Sequence, residues 1–220
     1  MHTFATPAPI AVALDLPAGR VRLIAADRSD TTVEVLPADP DKARDVRAAE
    51  HAVVTCADGV LRIASESGNR LTGPSGALEV TVKLPAGSRV EARTSSCELR
   101  VVGRLGEVDF EGAYHRIKID EAASVRLAAI DGDVEVVRLG GPAEISTARG
   151  DIRIAEAVRG AVVLSSGTGD ISVAAAAGVS ATLDAGTGRG RVSNALRNDG
   201  VAELDIRATT PDGDITARSL

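Results

Sequence analysis

At 220 residues and a formal net charge of −6, with no Trp, one Tyr and two Phe, the chain lacks the basic stripe and aromatic platforms that nucleic acid needs. Its apolar content suits a core of Val, Ile, Leu and Ala, with glycine at intervals, in narrow stacked coils. Two cysteines, Cys56 and Cys97, make no disulfide framework, and no stretch approaches the ~20 apolar residues of a membrane span. The first ten residues lack the basic and apolar regions of a signal peptide, so a cytoplasmic location is expected.

Residues 10–36 alternate between apolar and polar positions, the pattern of short half-buried strands, with Leu16-Pro-Ala-Gly19 as a turn between two of them. Asp39 suits an N-cap, Pro40 the first helical position and Asp41 the first turn. A short helix is therefore predicted over 40–50 with Ala43, Val46 and Ala49 inward. Asp58-Gly59 between two β-rich runs predicts a hairpin over 52–63. The Ser-, Thr- and Gly-rich run from Ser65 to Gly76 reads as a loop. At 78–92 the opening motif returns with Leu84-Pro-Ala-Gly87, as though the chain entered one sheet twice.

From Val90 the sequence repeats. Val125–Val136, Ala143–Ile154 and Val162–Val173 each hold an alternating strand, a Gly-Asp corner and a second short strand. No such unit buries its apolar face alone, so the copies stack. The strands start 17 to 23 residues apart, and in the last two coils the corner reads as two residues longer. The expected architecture is all-β: a parallel β-solenoid of about seven regular coils over 88–220, after an irregular N-terminal region of short strands and one helix over 1–87. Continuity of the apolar pattern makes 1–220 a single domain in this reading.

The Leu-Pro-Ala-Gly turns, the repeated Gly-Asp-Ile/Val corners and the run Leu183-Asp-Ala-Gly-Thr-Gly-Arg-Gly-Arg-Val192 followed by Asp212-Gly-Asp-Ile215 resemble a bacterial family of β-strand-repeat domains labelled "putative adhesin" and of unknown function. The resemblance implies a parallel β-solenoid and carries no catalytic residues.

One residue per coil forms a corner row: Glu98, Arg116, Asp133, Asp151, Asp170, Arg191, Asp214. Three adjacent carboxylates, Asp133, Asp151 and Asp170, repel unless a hard cation such as Ca²⁺ offsets them. The plainer account has each carboxylate bonding turn amides beside its glycine, with Arg149 and Arg189 near enough to offset the charge. Cys97 and His115 hold the glycine position of two successive coils, where a Cys–His pair could be a nucleophile with its base or half a zinc site. With no third and fourth ligand evident, two surface corner residues is the simpler account. Gly186-Thr-Gly-Arg-Gly190 looks like a phosphate loop, but it runs into a strand where a phosphate loop needs a helix N-terminus.

These patterns predict a non-enzymatic scaffold or protein-interaction module with no cofactor. The alternatives are a carbohydrate-binding or carbohydrate-active β-helix using the aspartate row, and a cell-surface adhesin. A solenoid also needs its ends covered. The coil ending at Ile215-Thr-Ala-Arg-Ser-Leu220 is expected to be an uncovered end and to make a two-fold homodimer.

Overall fold

The computed structural model describes residues 1–65, 75–113 and 116–220, which fall into two compact units, Met1–His115 and Arg116–Leu220. In unit 1 the elements are β1 (His2–Ala5), β2 (Ala11–Ala26), β3 (Asp30–Pro37), α1 (Ala43–Glu50), β4 (Val53–Ala57), β5 (Val60–Ala64), β6 (Leu78–Pro85) and β7 (Arg89–Ala113).

Unit 1 is organised by β2, which the sequence presents as two strands and a turn but which is one strand of 16 residues. Its first half pairs in parallel with β5 and its second half with β6, while β7 pairs in parallel with both halves. Between the halves, Leu16 and Pro17 are buried. Gly19 comes next at φ +135°, and a Cβ there would stand 1.8 Å from the Leu78 carbonyl oxygen. Only glycine fits so close an approach. Residues 11–24 thus already form a coil in register with 89–102, so the regular stack includes a segment of the region expected to be irregular.

The two Leu-Pro-Ala-Gly segments are not equivalent, contrary to the sequence reading. The first lies within β2, its Gly19 opening the pairing with β6, and the second begins in the last two residues of β6 and leads out of that strand. In the second, the buried Ser88 hydroxyl donates to the Pro85 carbonyl at 2.7 Å and accepts the Ile10 amide at 3.0 Å. β7 then wraps onto itself: the Gly106 amide donates to the Ser88 carbonyl, and the Thr94 hydroxyl to the Gly112 carbonyl.

β4 and β5 make the expected antiparallel hairpin, with Asp58 at φ 50° and Gly59 at φ 72°, the left-handed pair that a tight hairpin turn requires. The helix starts three residues later than predicted, at Ala43 rather than Pro40, with Lys42 in the N-cap position. Asp39 caps an earlier turn, its carboxylate accepting the Asp41 amide. Ala43, expected inward, is exposed; Val46 and Ala49 are half-buried. The buried residue is Asp45, 2% exposed, whose Oδ1 accepts the Ala77 amide at 3.0 Å with the Arg44 guanidinium 3.5 Å away. Most of the expected 65–76 loop, 66–74, lies outside the described residues.

Unit 2 comprises β8 (Ile117–Ala129), β9 (Val134–Leu139), β10 (Ala143–Thr147), β11 (Ile152–Ala157), β12 (Gly160–Ser166), β13 (Ile171–Ala175), β14 (Ala181–Arg189), β15 (Val192–Ala195), β16 (Leu204–Asp212) and β17 (Ile215–Ser219). Their mutual pairings are all parallel, as in a β-solenoid-like stack. One side runs β8–β10–β12–β16–β14 and the other β8–β9–β11–β13–β17–β15.

The chain therefore does not stack in sequence order. The coil made by β16 and β17 lies between the coil of β12 and β13 and the coil of β14 and β15. The expectation that residues 204–219 form an uncovered end is overturned, because Thr216 pairs with Ser172 on one side and Ser193 on the other. Among the described residues, the coil of β14 and β15 is the one beyond it, with a paired coil on one side only.

The register is also shifted. Val162 pairs with Ile206 and Leu164 with Ala208, two residues along from the repeat pattern of the sequence, which sets Val162 against Leu204. The corners therefore keep one length, and β12, β16 and β14 begin level with one another, Gly160 and Ala181 both pairing with Leu204. Because the side-chain period along a strand is two, a two-residue shift leaves inside and outside unchanged. Leu164 is accordingly buried and Ser165 exposed, as the alternation predicts.

Candidate functional site: the carboxylate corner

The corner between the two sides of unit 2 is built from three columns. The first is glycine. Gly132, Gly150, Gly169, Gly213 and Gly190, in spatial order, have φ between +130° and +155°. A Cβ on Gly150, Gly169, Gly213 or Gly190 would lie 2.0–2.3 Å from the carbonyl oxygen of the adjacent glycine in the column.

The second column is the carboxylate row. The Asp133 Oδ1 accepts the Asp151 amide at 3.0 Å, Asp151 Oδ1 the Asp170 amide at 2.8 Å, Asp170 Oδ1 the Asp214 amide at 2.7 Å, and Asp214 Oδ1 the Arg191 amide at 2.8 Å. Each aspartate thus bonds the corner of the next coil rather than its own turn. The carboxylate satisfies an amide that would otherwise need water and ties successive coils together.

The third column is hydroxyl. Ser166 donates to the Gly150 carbonyl at 2.9 Å, Thr210 to Gly169 at 3.1 Å and Thr187 to Gly213 at 2.8 Å. Ser166 and Thr210 are buried, so these bonds satisfy groups that would be costly to leave unpaired.

The predicted row members Asp133, Asp151, Asp170, Asp214 and Arg191 are brought together, but with Asp214 between Asp170 and Arg191. Arg149 and Arg189, expected to offset the row, pair instead with carboxylates two residues before it in sequence, Asp131 at 2.7 Å and Asp212 at 2.8 Å. Arg191 is the one that reaches the row, 3.6 Å from the Asp214 Oδ2. Arg116 instead contacts Glu135 at 3.3 Å, beside Lys118 at 2.8 Å; the Lys118 bond holds the Glu135 carboxyl below the usual range. Among the described residues no three His, Cys, Asp or Glu side chains are arranged to hold a metal ion. The Gly186–Gly190 segment lies in β14 and its corner, and it leads into strand β15 rather than into the helix a phosphate loop requires.

Cys97 is not a surface corner residue. It is buried, sits opposite Gly19 in the register of β2 and β7, and its Sγ lies 3.8 Å from the Leu16 carbonyl oxygen. Burial pushes its thiol up to about 12, a local hydrogen bond with Thr94 acting the other way. A thiol so protonated is no nucleophile at neutral pH. His115, its expected neighbour, lies outside the described residues. Native protein treated with iodoacetamide near pH 8 should carry the label on the half-buried Cys56 and not on Cys97, with both labelled after denaturation. Peptide mass spectrometry reads the result, and prompt native labelling of Cys97 would contradict this burial.

Stacked parallel strands with corners locked by glycine, carboxylate and hydroxyl columns define a β-repeat protein of the solenoid-like class. The chain belongs to the Toastrack DUF4097 family, whose model matches residues 13–219. Among solved structures it is similar to one from Bacteroides fragilis described as a putative adhesin, with TM-score 0.56 and 14% identity over 98% of this chain and 95% of that one. One from Parabacteroides distasonis with the same description has TM-score 0.44 and 12% identity over 98% and 95% of the two chains. A structure from Clostridium sporogenes described as a putative cell adhesion protein has TM-score 0.41 and 11% identity over 100% and 98%. At such identities the first likeness concerns the fold alone. No curated protein matches the chain. No helix among the described residues is long and apolar enough to cross a membrane.

Proposed function

We propose that the protein is a non-enzymatic scaffold that binds protein through the uncovered coil of unit 2. The observation that carries this reading is the state of that coil. Val192, in the column of the fully buried Ile171 and Ile215, is 46% exposed, and Leu183 is only half-buried. The carboxylate row supports the reading from the other side, since each Oδ1 is already used to join coils. An adhesive role, the one the structural neighbours are described with, is binding of the same general kind.

The enzymatic alternative makes a different forecast, because a carbohydrate-active aspartate row would need a cation or free carboxylates. Thermal melts with Ca²⁺ and with EDTA should coincide, and uronic-acid polymers incubated with the protein should release no product. A Ca²⁺-dependent rise in Tm accompanied by product release would overturn the scaffold reading.

A further inference from the structure

The uncovered coil is complementary to itself. Among the described residues β14 has a sheet partner only in β16, and β15 only in β17, so one edge of each strand is open except at the start of β14, where the Ala181 amide donates to the Arg197 carbonyl at 2.9 Å. Leu183 and Val192 stand in inward columns, paired with Ile206 and Ile215 of the coil beneath. Asp184 and Arg191 are exposed, Arg191 with 90% of its side chain in solvent. Edges of this kind are templates for another strand.

We infer that a second copy of this chain covers the coil about a two-fold axis lying in the plane of the coil, β14 of each copy pairing antiparallel with β15 of the other. This deepens the scaffold reading and rests on it. One antiparallel register sets Leu183 opposite Val192, Asp184 opposite Arg191 and Thr182 opposite Ser193. Apolar then meets apolar, acid meets base and hydroxyl meets hydroxyl, and the symmetry makes each match twice. The side-chain period is respected: Leu183 and Val192 both face the interior, whereas Asp184 and Arg191 both face out. Pairing β14 with its own copy centred on Asp184 would instead set two carboxylates face to face. The charge pattern therefore selects the crossed arrangement, and a two-fold closes the assembly as a dimer.

Sedimentation equilibrium on the full chain tests this. The wild type should be dimeric, and Val192→Lys, a change at an exposed site, should be monomeric at the same concentration while still unfolding cooperatively, its melt lower only by the lost association. Val163→Lys, an equal change at an exposed site on the outward face of β12, should leave the dimer intact. Asp184→Arg and Arg191→Asp should each weaken the dimer about tenfold or more, since like charges then face each other twice. The double variant, which restores opposite charges, should recover most of the loss. A dimeric Val192→Lys variant, or a double variant no better than the singles, overturns this register. A wild type monomeric at high micromolar concentration overturns the interface altogether while leaving the scaffold reading standing, because that reading falls on Ca²⁺-dependent polymer cleavage.

Discussion

Replacing Gly169 with alanine should destabilise unit 2 by more than about 3 kcal/mol, among the larger effects that one methyl group can have. The site combines two independent obstacles. Its φ of +145° is open to glycine and hostile to any residue with a Cβ. The added carbon would also sit 2.2 Å from the Gly150 carbonyl oxygen and 2.9 Å from the Asp151 Oδ1, backbone and carboxylate both fixed by the coil beneath. Relief requires the coils to separate, and separation breaks the bond from the Asp170 amide to Asp151. Gly186→Ala is the control, because nothing lies within 4 Å of its Cβ position and no positive φ is imposed there. It should fall within about ±0.5 kcal/mol. Urea melts of the two variants decide the matter, and equal losses would mean that the corner can relax around a side chain.

The second large effect is at Leu164. Its side chain is 1% exposed in the middle of the unit 2 stack, between Ile145 of β10 and Ala208 of β16. Leu164→Ala should cost about 2–5 kcal/mol, from lost transfer energy and from the cavity left between coils that cannot close over it. The adjacent Ser165→Ala, on the exposed face, should stay within about ±0.5 kcal/mol. Urea denaturation again separates them. A small loss at Leu164 would show that the neighbouring coils collapse into the gap.

How far the sequence carries the fold depends on which forces are local. Inside and outside are legible residue by residue in the coils, because alternation is imposed by the strand itself. The Gly-Asp corners are legible for the same reason: a φ between +130° and +155° with so close a neighbouring backbone demands glycine. The order of stacking is not legible. Matching Leu204 to Val162 makes the last corners look longer in the sequence, whereas Leu204 pairs with Gly160 and the corners keep one length. Nothing local records that β16 prefers β12 as a neighbour; that choice is made by the fit of whole coils. The helix start is misread because Asp39 and Pro40 satisfy the rules for a helix N-terminus while their turn stops short of it. Asp45 escapes a sequence reading because its bond to the Ala77 amide is long-range. The carboxylate row is visible as a set of residues, but its bonds cross between turns, since the acceptor and its amide belong to different coils.

The intercalated coil imposes an order on the birth of the protein. A ribosome delivers residues 181–195 before 204–219, yet β14 and β15 have no sheet partner in the finished unit until those later residues arrive. The nascent chain must keep the earlier segment aside, or release it from the exposed edges of β12 and β13, so that the later one can take that place. Residues 196–203, between β15 and β16, are the tether on which this exchange turns, and their length sets how far the waiting segment can stand from the growing stack.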